Sequence, residues 1–253
     1  MGWRSQTRVL AMTTELRYPL PMNILLTGAS RGIGAATFDH LRAAGHRVAG
    51  HSTSGQDGLI GADFTDSAAP RSLWEAALAQ LGSIDVLVNN AGVFEAIADD
   101  ADDFAWHAAW VRTLTINLQA SADLCRLALA HFRSRKGGRI VNVASRAAYR
   151  GDSPQHWHYA ASKGGMIAMT KSIARGYAAE NILAFAVCPG FTMTGMAEEY
   201  LGSRGGDKLL ADIPLGRVAD AAEIAETIRW LAIDAPPSAT GAVIDVNGAS
   251  YVR

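Results

Sequence analysis

A short apolar run, Ile24-Leu25-Leu26-Thr27, passes directly into Gly28-Ala29-Ser30-Arg31-Gly32-Ile33-Gly34 and then into a helix-forming stretch from Ala35 to Ala44. A strand, a glycine turn and a helix start in immediate succession leave few folds open. Glycine is needed where the backbone turns with positive φ, where it approaches a pyrophosphate, and where a helix packs tightly on a sheet. The helix N-terminus then offers free N–H groups and the positive end of its dipole to phosphates. The spacing Gly-x-x-x-Gly-x-Gly departs from Gly-x-Gly-x-x-Gly, so the general dinucleotide fingerprint is not met letter for letter. An ordinary glycine-rich turn stays open as the alternative.

From Met22 onward, apolar strand runs alternate with helical stretches, the pattern of a parallel sheet covered on both faces. Strands are expected near residues 22–27, 46–51, 58–62, 84–90, 138–144, 181–187 and 241–246, and helices over 32–44, 67–81, 103–131, 157–179 and 221–234. The expectation is a single doubly wound α/β Rossmann domain over residues 22–253, with a mainly parallel seven-stranded sheet and helices on both faces. Between His51 and Gly58 too few residues remain for a crossover that normally needs a dozen or more, so the helix there is expected to be missing or reduced to a turn. Residues 1–21, with Pro19 and Pro21 and no apolar core of a secretory signal, read as a mobile leader. Asp99, Asp100, Asp102 and Asp103 read as helix-starting carboxylates rather than a metal site.

The 23 basic and 24 acidic residues give a formal charge of −1, which supplies no field to draw nucleic acid or an anionic membrane surface. No apolar run reaches the length of a membrane-crossing helix. Cys125 and Cys188 form neither a metal-type pair nor a disulfide framework, so a reducing compartment, the cytoplasm, is the default.

Tyr159 and Lys163 stand four residues apart in Tyr159-Ala160-Ala161-Ser162-Lys163, with Ser145 upstream at a strand end. On a helix that spacing puts both on one face, with Cβ atoms about 5–6 Å apart. A phenol titrating near ~10 needs roughly 4 kcal/mol of differential stabilisation to act as a base near pH ~7. One cation at about 4 Å and an effective dielectric of about 20 supplies roughly that much. By itself the pair is equally compatible with two surface neighbours.

Thr27-Gly28-x-x-x-Gly32-x-Gly34, Asn89-Asn90-Ala91-Gly92, Asn117, Ser145, Tyr159-x-x-x-Lys163 and Pro189-Gly190 occur in the order and approximate spacing of the short-chain dehydrogenase/reductase family, which this chain resembles from about Pro21 to Arg253. Ile213-Pro214-Leu215-Gly216-Arg217 and Val246-Asn247-Gly248 add a likeness to its β-ketoacyl-acyl-carrier-protein reductase branch. The resemblance implies hydride transfer between nicotinamide and a ketone or secondary alcohol. Tyr159 would be the acid/base, Ser145 the hydrogen bond to the reacting oxygen, Lys163 the cation near the phenol and the ribose, and Asn117 the holder of a proton-relay water. Cofactor contacts would come from Gly28, Ser30, Arg31, Gly32, Ile33 and Gly34, from His51 and Ser52, from Asp63 and Phe64, from Asn90, Ala91 and Gly92, and from Pro189, Gly190, Thr192 and Thr194. The second strand ends Val48-Ala49-Gly50-His51-Ser52 with no acid to hold a ribose 2′-hydroxyl, and Arg31 can meet a 2′-phosphate, so NADP(H) is favoured with NAD(H) as the alternative.

Substrate groups are expected in Arg146–His158, with Tyr149, His156, Trp157 and His158, and in Phe191–Asp212, with Met193, Met196 and Tyr200. A small-molecule ketone or alcohol is the expected partner. An acyl carrier protein docking on Arg133, Arg135, Lys136 and Arg139 is the alternative, with Glu180 counting against it. A cofactor-binding sensor or structural subunit without turnover is a further alternative. The resemblance also implies a homotetramer or dimer built on helices 103–131 and 157–179 and on the C-terminal strand, consistent with the small residues Ala160, Ala161, Gly164, Gly165, Ala168 and Ala174 on the second helix.

Overall fold

The computed structural model describes residues 21–193 and 210–253. Seven strands make the main sheet: β1 (Asn23–Leu26), β2 (Arg47–Ser52), β3 (Ile60–Gly61), β4 (Val86–Asn89), β5 (Gly138–Val143), β6 (Ile182–Pro189) and β9 (Val243–Val246). Their order is β3-β2-β1-β4-β5-β6-β9, and every neighbouring pair is parallel. A separate pair, β7 (Thr192–Met193) and β8 (Ala219–Asp220), lies beyond β6.

The strands are almost uninterrupted apolar runs because both sheet faces are covered. Side chains alternate across the sheet. Ile24, Leu26, Val86, Val88, Val141 and Phe185 face α1 (Gly32–Ala43) and the last helix, α7 (Ala221–Ile233), which supplies Ile224, Ile228 and Leu231. Leu25, Leu87, Ile140 and Ala184 face α2 (Ala69–Leu81), α4 (Ala120–Arg135) and α6 (Trp157–Tyr177), which supply Trp74, Leu124, Phe132 and Ile173. The Asp220–Glu223 capping box starts α7, and Asp102 caps α3 (Asp103–Leu114) by accepting from Ala105 N at 2.8 Å.

The strand order reverses direction between β1 and β4, the switch point at whose carboxyl edge doubly wound sheets bind ligands. All seven expected strands are present, and the crossover at residues 53–59 holds no helix. Two features of the helices were not foreseen. The expected helix over 103–131 is broken by a π-turn at Thr115–Gln119 and runs on to Arg135, and a short helix, α5 (Ala147–Arg150), follows Ser145. The leader expected at 1–21, Pro21 apart, lies outside the described residues, as do Thr194, Met196 and Tyr200.

Candidate active site

The glycine turn is built as its sequence requires. Gly28 and Gly32 have φ of +68° and +54°, which other residues adopt only with strain. A Cβ on Gly34 would stand 1.8 Å from Gly28 O, so α1 packs against the turn more closely than any side chain allows. Arg31 is the extended N-cap of α1, its side chain caps nothing, and the first turn carries no acid. The helix start therefore keeps its N–H groups and dipole for an anion, which fits a dinucleotide pyrophosphate. Ser30 and Arg31 are exposed there and Ile33 is half-buried.

Polar struts hold the turn from below. Thr27 Oγ1 accepts from Asn90 N at 2.9 Å and Ala91 N at 3.0 Å, and Asn90 Nδ2 donates to Thr27 O and Gly28 O at 3.0 and 2.9 Å. On the other side Gly28 N donates to His51 Nδ1 at 3.2 Å, and His51 Nε2 lies 2.8 Å from Ala62 O. The Gly28 N–H forces Nδ1 to accept, so Nε2 carries the proton and the ring is neutral. Burial of the ring lowers its pKa in agreement.

Three of the expected cofactor-contact residues turn their side chains into the fold. His51 is buried and stacked on Phe64 at 4.5 Å, both of its nitrogens are occupied by backbone, and Phe64 itself belongs to the core. Ser52 is buried and its hydroxyl accepts from Gly55 N at 3.1 Å, closing the tight turn that replaces the crossover helix. The side chains were needed to shape this end of the sheet, because no helix is there to do so. Asp63 is exposed, and hydrogen bonds from Thr65 hold its carboxyl below the usual range. Thr192 is buried with its hydroxyl on Gly190 O at 3.2 Å, and Gly190 sits where a Cβ would meet Asn247 Cα at 2.8 Å, directly after Pro189 at the end of β6.

The chemistry-bearing residues gather at the same edge. Ser145 follows β5 by two positions, and its Oγ accepts from Ala147 N at 3.1 Å to start α5. Tyr159 stands in the first turn of α6 with Lys163 one turn on. The Tyr159 ring is half-buried but its hydroxyl end is enclosed, and burial pushes the phenol up to about 12 while a hydrogen bond with Ser145 works the other way. Lys163 is buried, Nζ donates to Val143 O at 2.8 Å, and burial brings its pKa down to about 8. Nζ lies 5.9 Å from the centre of the Tyr159 ring. The expectation that the ammonium draws the phenol toward neutrality is therefore not met by the protein alone, because desolvation outweighs a cation turned toward Val143.

Asn117 lies in the π-turn and is fully buried. Its Oδ1 accepts from Val93 N at 2.8 Å, and its Nδ2 donates to Val93 O at 3.0 Å and Ser162 Oγ at 3.2 Å. It thus ties the bend to the loop after β4. A Cβ on Gly92 would come 3.2 Å from Asn117 Oδ1 and 3.5 Å from Lys163 Nζ, so Gly92 keeps Lys163 approachable from that loop. Both cysteines are buried and pushed up to about 12, which fits core residues.

Two features of the site escaped sequence reasoning. Phe94, next but one to Gly92, sets its ring edge-on to Tyr159 at 4.8 Å; its place in the loop directly after β4 was the available signal. Arg146, beside Ser145, is buried over the Phe191 ring at 4.9 Å and shares Asp212 with Arg150, at 3.5 and 2.7 Å. Three of the four cations in the expected carrier-docking patch are engaged within the fold, and Lys136 is exposed. Arg133 is paired with Glu180 at 2.7 Å, Arg135 with Asp85 at 3.2 Å, and Arg139 is buried against Leu231 O.

The sequence matches the family described as Enoyl-(Acyl carrier protein) reductase over residues 28–249. It is 33% identical over 240 residues to the 3-oxoacyl-acyl-carrier-protein reductase FabG of Escherichia coli, with 90% of this chain and 96% of that one covered. It is 32% identical over 243 residues to the acetoacetyl-CoA reductase of Rhizobium meliloti, covering 90% and 97%. The same enzyme type as the first, from Vibrio cholerae, is 32% identical over 240 residues at 90% and 96% coverage. One continuous match runs from the glycine turn to just beyond β9, and the chain accordingly belongs to the short-chain dehydrogenase/reductase family of oxidoreductases, resembling its FabG branch.

Proposed function

We propose that the protein is an NADP(H)-dependent oxidoreductase acting on a ketone or secondary alcohol, with Tyr159 as acid/base. The carrying observation is that Ser145, Tyr159, Lys163 and Asn117 gather on the same carboxyl edge of the sheet as the uncapped start of α1. Nicotinamide, when bound, supplies or takes the hydride. At neutral pH a phenol near 12 is protonated and an amine near 8 is mostly charged, so the protein presents an acid and a cation, the state that carbonyl reduction needs. Tyr159 gives its proton to the carbonyl oxygen, Ser145 holds that oxygen, and Lys163 offsets negative charge left on the phenol. Asn117 positions the π-turn against Val93 and so the floor beneath Lys163.

NADP(H) preference rests on Arg31, which is exposed and whose guanidinium forms no hydrogen bond or ion pair among the described residues, the His51 and Ser52 side chains being withdrawn into the fold. The NAD(H) alternative keeps its weight for that reason. The relatives' names favour a 3-oxoacyl thioester as the second reading; the pairing of Arg133 and Arg135 removes the support first seen for a carrier-protein partner. A dimer or tetramer in the cytoplasm completes the reading, with Arg126, Leu129, Met169 and Tyr177 lining an open groove between α4 and α6. Among the described residues no helix is long and apolar enough to cross a membrane. A panel of ketones and alcohols followed by nicotinamide absorbance with both cofactors tests the assignment; no turnover on any member, with a folded protein that binds NADPH, favours the non-catalytic alternative.

A further inference from the structure

Resting on the carbonyl chemistry proposed for Tyr159, we infer that the substrate half of the site presents an aromatic wall, formed by Phe94 and His156, that recognises a flat aromatic ketone rather than an aliphatic acyl thioester. Phe94 leaves 44% of its surface open, although it carries a large apolar ring beside Tyr159. Exposed apolar groups at a site of chemistry mark what binds there. His156 covers one face of Phe94 at 3.9 Å and 4°, so the open surface of Phe94 is its other face and rim. The Phe94 and Tyr159 rings lie at 82° with centroids 4.8 Å apart, so a ring packed on the open surface of Phe94 stands beside the Tyr159 ring.

The wall is rigid before any ligand arrives. His156 Nδ1 lies 2.7 Å from Ser153 Oγ, and Ile97 N donates to Gln155 O at 3.0 Å to join the two loops. Aromatic rings fixed in this way lose little freedom on binding, and preorganisation is what such residues contribute. The surroundings offer no free cation to a thioester's phosphates from α3, where Arg112 Nε is held by both oxygens of Glu95 at 3.1 and 3.3 Å.

The test compares 2-acetonaphthone with its fully saturated decahydro analogue, which has the same carbon skeleton and carbonyl but no π-face. Both are titrated calorimetrically into the full-length protein, with and without NADP+, so that no turnover is required. The wild type is expected to bind 2-acetonaphthone at least several times more tightly than the saturated ketone. Phe94→Leu should weaken 2-acetonaphthone about two- to tenfold, the worth of one aromatic pair, and change the saturated ketone less than twofold. Equal affinity for the two ketones, equal weakening of both, or no binding of either overturns the inference. If 2-acetonaphthone binds with the expected variant pattern but is never reduced with either nicotinamide cofactor, the wall stands and the oxidoreductase reading of the site is what fails.

Discussion

His51 offers the sharpest test of how the glycine turn is held. Its ring joins three pieces of backbone: it extends β2, accepts from Gly28 N at 3.2 Å and donates to Ala62 O at 2.8 Å. His51→Phe keeps a ring to stack on Phe64 and removes both hydrogen bonds. Each net bond is worth about 0.5–1.5 kcal/mol, and a buried partner left unsatisfied costs about 1–3 kcal/mol. Gly28 and Ala62 are half-buried, so water recovers part of the loss and the sum is about 2–4 kcal/mol. At roughly 2–4 °C per kcal/mol for a chain of this size, Tm should fall by roughly 5–15 °C. His51→Asn restores an acceptor near Gly28 but is too short for Ala62. It should lose stability yet keep NADPH affinity, whereas His51→Phe should weaken NADPH about five- to thirtyfold because Gly28 is no longer fixed.

The same residue gives a pH signature. Its folded pKa is lowered from 6.5, chiefly by burial, so the unfolded chain takes up a proton more readily. Its contribution to stability is full above pH 6.5 and is lost as pH falls below that value toward the folded pKa. His46, His131, His156 and His158 are lowered as well, so the quantity to read is the difference between wild type and His51→Phe in denaturant midpoint from pH 8 down to 5. A difference independent of pH, or Asn and Phe variants with the same NADPH affinity, refutes the strut.

Tyr159→Phe should abolish turnover while leaving NADPH affinity nearly intact, and Lys163→Ala should damage both; more than a few per cent residual activity in Tyr159→Phe contradicts the acid/base role. Ketone reduction should decline as pH rises through about 8, where Lys163 loses its charge, and a flat kcat profile from neutrality to pH 10 would separate Lys163 from the chemistry. Arg31→Ala should weaken NADPH by about 1.5–3 kcal/mol and NADH little, the loss of one charge-assisted phosphate contact; isothermal titration with both cofactors checks it, and equal effects remove the basis for NADP(H) preference. Light scattering at micromolar concentration should report a dimer or tetramer, and an active 26.8 kDa monomer would mean that the groove between α4 and α6 needs no cover.

What the sequence made legible follows from period and punctuation. Buried parallel strands announce themselves as apolar runs such as Ile182–Pro189, and the glycine turn as Gly28, Gly32 and Gly34, because each has a single local cause. The π-turn at Thr115–Gln119 has none. It exists because Asn117 reaches Val93, 24 residues away, and that long-range bond outweighs regular helix geometry. His51 looked like a polar strand end facing a ligand. Only the distance to Ala62, set by the shortened crossover, shows that it points inward. Four-residue spacing likewise fixes the face of Lys163 but not the direction of Nζ, which Val143 O captures.

The site's geometry depends on strand register more than on any single contact within it. Leu26 pairs with Val88, Val88 with Val141 and Val141 with Phe185, so β1, β4, β5 and β6 share one register, with β5 and β6 running two and four residues past that row. Gly28, Asn90, Ser145 and Gly190 each come within two residues of the carboxyl end of their own strand and so lie on one edge of the sheet. A slip of one residue would turn every side chain of a strand to the opposite face. Apolar strands alone specify register weakly here, because both faces are greasy. The specifying element is a buried polar ladder: Asn89 Nδ2 donates to Asn142 Oδ1 at 2.9 Å across the β4–β5 pair, and Asn142 Nδ2 to Thr170 Oγ1 at 2.8 Å on α6. Out of register, both amides would be buried without partners, a penalty of about 1–3 kcal/mol for each group. The ladder stands one residue below Asn90 and two turns of α6 from Lys163, so the bonds that select the register also fix β4, β5 and α6 relative to one another.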